Sequence, residues 1–414
     1  MASAAQPLRV AVVAEYYPRP SDPALGVWAH RQALAVREHG IEVRVLALER
    51  PVPPLGTVRA GPNALREWLR GARSVPRNAG LDGIPVRYVR FVSPPRPLAY
   101  QSWGRWAARP LGRALDELMA EWEPDIVHAH YAVPAGDAVL RWMKRRRQGL
   151  PLMVSVHGGD LSFAARRPRR WRAVVRSTLR GADAVISNSL LTRRGIEEVT
   201  GPLFRLDTIH LGADVPPQGV ARRAQPTLVT VAHLVPHKGQ AAVVRALAAL
   251  RDRHPALRYA IVGKGPEREG LEYLAERLGV ADRVDFLGPM PHERALAEMQ
   301  RAHIHAMPSS HEPFGVAHIE AMAAGLVAIG GAGTGAQDIA DAGDGIVLVP
   351  PGDDTALTRE IDRLVADPAE RERLSAAARA TVQKHFTWER NGERTAALYR
   401  EVANPHRKGG QHGS

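Results

Sequence analysis

Cysteine is absent from the 414-residue chain, which excludes disulfides, zinc–thiolate sites and a thiol nucleophile but leaves the compartment open. No apolar run reaches the roughly 18 residues that a membrane-spanning helix needs. The opening "LRVAVVAEYYPRP" has a short apolar core broken by Glu15, so it reads as a first β-strand and not as a secretion signal. Acidic residues are the scarcer charge, 43 against 56 Lys and Arg, leaving a net +13. That balance favours an anionic partner: a nucleotide, a nucleic acid or an acidic membrane surface. Nucleic acid is not expected, because no recognition helix or aromatic stacking motif accompanies the charge. A full phosphate loop is also missing, since "GKGP", Gly263 to Pro266, lacks the Gly-x4-Gly-Lys-Ser/Thr pattern. His128 and His130 have a metal-like spacing in "VHAHY" but no carboxylate cluster beside them. They read as strand-end structure, and no metal is expected. Apart from the likeness of the chain's two halves, no internal repeat is present. A cytoplasmic protein is expected, with any membrane contact peripheral and at the inner face.

What is present is a globular composition, 45% hydrophobic and 24% charged, on a chain too long for one ordinary core. Short runs rich in Val, Ile and Ala alternate with helical patterns. "RVAVVAEYY" precedes "GVWAHRQALAVREHG", and "EVRVLAL", "PDIVHAHY", "LMVSVHGGD" and "DAVISNS" follow. Continuous apolar strands separated by helices predict parallel sheets covered on both faces. The proline-rich "LGADVPPQGVARRAQP" interrupts the alternation, which restarts with "TLVTVAHL", "RYAIVGKGP", "VDFLGPM" and "IHAMPSS". The expected fold is α/β, two Rossmann-like domains facing a cleft. Residues 1–211 form the first domain, 212–226 a linker and 227–385 the second; a helix over 386–403 follows, then a tail, 404–414, expected to be disordered. Ligands of such sheets bind outside the carboxyl ends of the strands, and the conspicuous motifs fall there.

The stretch "PSSHEPFGVAHIEAMAAG", Pro308 to Gly325, places Glu312 and Glu320 eight positions apart around a Phe-Gly turn. "AHIHAM" before it looks like a strand end, and Val316 to Ala323 carries helix formers closed by Gly325. This predicts strand, tight loop and helix, with Glu312 in the loop and Glu320 about one turn into the helix. The free amides of a helix start favour an anion, and the two carboxylates are spaced to grip neutral parts of the same ligand. "HEPFGVAHIEAMAAG" resembles the Glu-x7-Glu motif of the retaining family-four glycosyltransferases, also called glycosyl transferases group 1. "VHAHYAVPAG", "VSVHGGD", "VAHLVPHKG", "IVGKGP", "VDFLGPMP", "VPPGD" and "FTWER" occur in that family's order, so the likeness spans nearly the whole chain.

The resemblance implies a GT-B fold whose C-terminal helix crosses back to the first domain. It implies retaining, metal-independent hexosyl transfer from a nucleotide-diphosphate sugar, linked to UDP or GDP, with no further cofactor. Residue by residue, it gives Glu312 the hydroxyls of the donor sugar near the reacting face and Glu320 the ribose hydroxyls. The amides of Gly315 and Val316 meet the diphosphate, Lys238 neutralises the leaving group, and His157 reaches across the cleft toward sugar and phosphate. Gly26 and His233 complete the donor side. Negative charge developing on the leaving oxygens needs such a fixed cation and such amides. Retention by a carboxylate nucleophile and by front-face attack both stay open. The chain departs from the family pattern in three places. Ala232-His233 stands where Gly-Arg is usual, Asp338 stands for a Glu, and the N-terminal glycine pair is reduced to Leu25-Gly26.

The implied acceptor is an envelope polysaccharide or a lipid-linked intermediate, "GVWAHRQALAV" loosely resembling transferases of teichuronic-acid-like surface polymers. A soluble small-molecule acceptor is one alternative. A non-catalytic nucleotide-sugar-binding protein of the same fold is another, motivated by His233. Between Arg141 and Arg180 there are 12 Lys or Arg residues against one acid, Asp160. In "RRWRAVVRSTLR", Trp171, Val174, Val175, Thr178 and Leu179 share a helical face, with arginines on the rest. That pattern suits a helix packed on the first domain with a solvated basic side. The functional alternative is contact of Arg166, Arg167, Arg169 and Arg170 with an anionic membrane or a lipid-linked phosphate.

Overall fold

The computed structural model describes residues 6–20, 22–53, 55–147, 149–165, 169–217 and 219–404. Arg166, Arg167 and residues 405–414, where the disordered tail is expected, lie outside the described residues. The chain divides into two compact units: one runs to His210 and takes back the chain from Asn391, and the other is Leu211–Arg390. Among the described residues no helix is long and apolar enough to cross a membrane.

The first unit is built on eight strands: β1 (Leu8–Ala14), β2 (Ile41–Glu49), β3 (Asn78–Leu81), β4 (Ile84–Arg90), β5 (Ile126–His130), β6 (Leu152–Val156), β7 (Ala184–Ser187) and β8 (Leu206–Thr208). They lie in the order β3-β4-β2-β1-β5-β6-β7-β8. All pairs are parallel except β3 with β4, whose register matches Leu81 to Ile84. The expectation of purely parallel strands fails at this edge. Asp82 and Gly83 join the two strands with φ of 48° and 76°, the geometry of a two-residue hairpin, and the Asp-Gly pair is its sequence signal.

β1 is buried on both faces because successive side chains point opposite ways. Ala11 and Val13 enter one core with Leu111, Leu115 and Trp142. Val10, Val12 and Ala14 enter the other with Ala33 and Val36, and with Ala396, Leu398, Tyr399 and Val402 of the helix Trp388–Ala403. That helix therefore crosses back to the first unit, as the resemblance implies. Gln32 Nε2 donates to Asn391 Oδ1 at 3.0 Å and to Thr395 Oγ1 at 3.2 Å, and each large apolar side chain so buried contributes about 1.5–3 kcal/mol. The basic helix Arg169–Arg180 buries Trp171, Val175, Thr178 and Leu179, with Val174 packed at the margin, which is the face its periodicity marks.

The second unit holds six parallel strands: β9 (Thr227–Val231), β10 (Arg258–Val262), β11 (Val284–Gly288), β12 (Ile304–Met307), β13 (Val327–Gly331) and β14 (Ile346–Val349). Their order is β11-β10-β9-β12-β13-β14, so the winding reverses between β9 and β12. The described residues of 212–226, expected as a linker, carry no regular element, in keeping with their missing periodicity. They are nonetheless fastened along the second unit. The Ala213 amide donates to Phe386 O at 2.8 Å, Arg379 donates to Pro216 O at 2.7 Å, and Arg222 donates to Gly325 O at 2.8 Å.

Candidate active site

The loops leaving the carboxyl ends of β9 and β12 meet at the point where the sheet order reverses, the place such sheets offer a ligand. After β9 the chain passes Ala232 and His233, makes the short turn Pro236–Lys238 and enters the helix Gln240–Ala249. After β12 it passes Pro308 and Glu312 and enters the helix Val316–Ala323. The Ser310 amide donates to the His237 carbonyl at 2.9 Å, binding one loop to the other. Lys238 Nζ lies 2.5 Å from Glu312 Oε2, with the two side chains only 18% and 10% exposed. Gln240 Nε2 holds the His233 carbonyl at 3.0 Å, while His233 itself is exposed. Asp338 is buried in the first turn of the helix Ala336–Ala342.

Gly315 caps the Val316–Ala323 helix with φ of +106°. A Cβ there would lie 2.7 Å from His318 Cδ2, so both backbone and space require glycine. The first amides of the helix, Val316 among them, have no partner within it. Glu320, one turn along, is 15% exposed, with Oε1 3.5 Å from His292 Nε2. Burial, reinforced by the negative charge of Asp214, pushes its carboxyl up to about 8. At neutral pH it therefore carries a proton and both donates and accepts hydrogen bonds. Behind it His305 and His318 are fully buried, edge to face at 5.1 Å, and burial holds both imidazoles far below their ordinary range.

The first unit has its own reversal, between β1 and β5. Glu15 leaves β1, Tyr131 leaves β5, and His157 to Asp160 leave β6. Gly26 has φ of +65°, and a Cβ there would lie 2.2 Å from the Tyr16 carbonyl. That close approach starts the helix Val27–Arg37 against the β1 loop and gathers an aromatic group. Ring centroids are 6.3 Å apart for Tyr16–Trp28, 5.2 Å for Tyr16–Tyr131, 5.9 Å for Trp28–His157 and 5.3 Å for Tyr131–His157. His157 Nε2 is 3.0 Å from His130 Nδ1, whereas His157 Nδ1 and Trp28 Nε1 are buried without a hydrogen-bond partner. Burial pushes the His157 imidazole down to about 4, so near neutrality it is a hydrogen-bonding group and not a cation. His128 lies between Ser155 Oγ at 2.8 Å and Tyr399 Oη at 2.6 Å, a structural histidine as read.

Next to this group is a network that the sequence reading missed. Glu15 Oε1 is 3.4 Å from Arg96 Nη2 and is 9% exposed; burial pushes its carboxyl up to about 7 against the pull of Arg96. Asp160 accepts the amides of Ala132 at 3.1 Å and Val133 at 3.4 Å, and burial still pushes it up to about 7. The Tyr100 hydroxyl joins the Val133 carbonyl to Glu15 Oε2. Two of these had a signal: Glu15 directly follows an apolar strand, and Asp160 closes "HGGD". Arg96 and Tyr100 had none, since they come from an irregular proline-rich segment.

Fold and site together define a class: a two-unit α/β protein whose second unit sets a partly buried cation–carboxylate pair beside a helix start at its switch point. Residues 25–216 match Glycosyltransferase Family 4 and residues 215–381 match Glycosyl transferases group 1. The chain belongs to this glycosyltransferase family. It is 30% identical to the GDP-mannose-dependent alpha-(1-6)-phosphatidylinositol monomannoside mannosyltransferase of Mycolicibacterium smegmatis, over 67% of this chain and 77% of that one. It is 32% identical to the 2-deoxystreptamine N-acetyl-D-glucosaminyltransferase of Streptomyces fradiae, over 66% and 70%. Among solved structures it resembles the sucrose-phosphate synthase of Thermosynechococcus elongatus, with a TM-score of 0.74, 22% identity, and coverage of 95% of this chain and 99% of that one. The last likeness is one of fold, GT-B.

Proposed function

We propose that the protein moves a hexosyl group from a nucleoside-diphosphate sugar to an acceptor hydroxyl, with retention at the anomeric carbon and without a metal. The observation that carries this reading is the Lys238–Glu312 pair, 2.5 Å apart, at the mouth of a helix whose first amides are free for an anion. Diphosphate oxygens compete with Glu312 for Lys238, and the freed carboxylate turns to the hydroxyls of the sugar. As the bond from C1 to the phosphate oxygen breaks, its electron pair leaves with the nucleoside diphosphate. Lys238 and the amides of Gly315 and Val316 receive that charge. The acceptor oxygen bonds to C1, its proton leaving with the diphosphate. Protonated Glu320 holds the ribose hydroxyls, His157 lends a neutral hydrogen bond to the sugar side, and His233 gives the diphosphate one donor where an arginine would give two.

The relatives' names, one giving GDP-mannose and a phosphatidylinositol monomannoside and the other 2-deoxystreptamine, support a GDP-linked donor and an acceptor that is lipid-linked or small and soluble; a UDP-linked donor rests on the family resemblance alone. We favour the lipid-linked acceptor, an intermediate of envelope glycans, on the net charge of +13. The protein then works at the inner face of a membrane, in peripheral contact with anionic lipid and without nucleic acid. A panel of UDP- and GDP-sugars tested by thermal shift, followed by mass analysis of products from lipid and soluble extracts, tests the reading. One donor is expected to raise the midpoint and to be hydrolysed slowly without acceptor. A donor that binds but is never cleaved or transferred would instead favour the non-catalytic reading that His233 motivates.

A further inference from the structure

A second concentration of charge lies in the first unit, in a cleft between the helices Trp103–Trp122 and Asp137–Arg146. The cleft has a volume of about 380 Å³ and is lined by Arg109, Arg113, Arg145 and Arg146, with Trp142 and Gly112 at its floor and Asp116 as its one acid. Its walls are fixed. Trp142 Nε1 donates to Asp116 Oδ1 at 2.9 Å, Arg146 Nη2 to Asp116 Oδ2 at 2.6 Å, and Arg145 Nη2 to the Ala108 carbonyl at 3.1 Å. Basic residues at the end of the Asp137–Arg146 helix are accounted for by the carbonyl dipoles there. Arg109 and Arg113 are not. They lie inside the other helix, spaced i and i+4, where like charges repel, and no ion pair or hydrogen bond engages either guanidinium among the described residues. On the same helix face Trp106, three positions before Arg109 and seven before Arg113, is 47% exposed.

We propose that this cleft binds the phosphate of an anionic lipid headgroup, with Trp106 entering the interface beside it. The chemistry selects the ligand. Unengaged guanidiniums at Arg109 and Arg113, in a cleft they line with Arg145 and Arg146, suit a phosphate, and an exposed indole on the same helix face suits the boundary between headgroup and acyl chain. The proposal rests on the reading that the enzyme works at a membrane, but it moves the contact away from the Arg169–Arg180 helix. It leaves the nucleotide site of the second unit untouched.

The full chain is to be sedimented at low salt with phosphatidylcholine vesicles, with and without phosphatidylglycerol. Binding is expected only with phosphatidylglycerol. The double variant Arg109→Glu/Arg113→Glu should lower it by about tenfold or more, while UDP and GDP affinity and the thermal midpoint stay at wild-type values. If the reversal fails to fold, Arg109→Gln/Arg113→Gln replaces it. Trp106→Ala should weaken vesicle binding and abolish the blue shift of tryptophan fluorescence. Vesicle binding unchanged in the folded double variant overturns the proposal. So does wild-type protein that ignores the vesicles while still hydrolysing a nucleotide sugar, an outcome that spares the transferase reading. Inorganic phosphate that binds the cleft and displaces no vesicle would make it a site for soluble anions and overturn the lipid assignment. Preference for a single-stranded oligonucleotide over the vesicles would overturn it equally.

Discussion

Lys238 and Glu312 pair with each other, 2.5 Å apart, and this sets what substitution of either should do. Glu312→Gln removes the carboxylate assigned to the donor sugar and at the same time frees Lys238 for phosphate. Transfer should fall by far more than tenfold while UDP or GDP affinity is unchanged or rises. Residual turnover above about a tenth of wild type, a barrier change below roughly 1.4 kcal/mol, would sink the assignment. Glu320 makes a different case, because burial keeps it protonated at neutral pH, with its carboxyl near 8. Glutamine copies that neutral donor–acceptor group, so Glu320→Gln should keep most of the donor affinity at neutral pH. Glu320→Ala should lose about 1–3 kcal/mol from two ribose hydrogen bonds. Equal dissociation constants for the two variants would remove Glu320 from the ribose. His233→Arg should tighten donor binding, and no change would put His233 off the phosphates. The spacing of Glu312 and Glu320 was legible in the sequence. The pairing of Glu312 with Lys238, 74 positions apart, was not, and neither was that of Glu15 with Tyr100, 85 apart, because chain separation carries no record of contact.

At the level of elements, the Val316–Ala323 helix was readable from its formers and its closing Gly325, and the first four strands of the second unit, β9 to β12, alternate with helices as expected. The β3–β4 hairpin escaped although Asp82-Gly83 signals its turn and Ile84, Val86 and Tyr88 alternate in β4, because the edge strand β3 has only four residues, none of them buried, and shows no apolar pattern. The network of Glu15, Arg96 and Tyr100 escaped for a related reason, as Arg96–Ala99 is a four-residue helix in a proline-rich stretch. The helix start offers a sharp test of the anion site. Gly315→Ala forces a Cβ onto φ of +106° and to within 2.7 Å of His318 Cδ2, costing about 1–2 kcal/mol from the backbone alone, with the contact in addition. Gly288→Ala is the control, since φ there is +71° and nothing lies within 4 Å of the new carbon. Urea unfolding should show both variants destabilised, Gly315→Ala more. Only Gly315→Ala should also weaken binding of UDP or GDP. Wild-type nucleotide affinity in a folded Gly315→Ala protein would remove the diphosphate from this helix.

Taken as a molecule, the chain buries titratable groups that pull stability in opposite directions with pH, and the second unit allows the sum to be made. Burial raises Glu320 from 4.5 to about 8. The stability that its neutral form supports is complete below about 4.5 and is lost as pH rises through about 8. Burial lowers His303 to about 4 and His305 to about 3, and holds His318 well below 6.5. Their contribution is complete above about 6.5 and is lost as pH falls toward those values. Between about 4.5 and 6.5 the unfolded chain thus binds three protons that the folded unit refuses and lacks one that the folded unit keeps. Stability must rise with pH there, by up to about 1.4 kcal/mol per pH unit for each net proton. Between about 6.5 and 8 Glu320 alone of these four groups still differs, and its contribution to stability falls. The urea midpoint of the second unit, followed through exchange of buried amides in β12 and β13, should peak near pH 6.5. Glu320→Gln should flatten the alkaline limb and leave the acid limb in place. A midpoint that climbs steadily through pH 8, or an alkaline limb that survives the glutamine, would show that Glu320 is ionised in the folded protein, and the neutral carboxyl assigned to the ribose would fall with it.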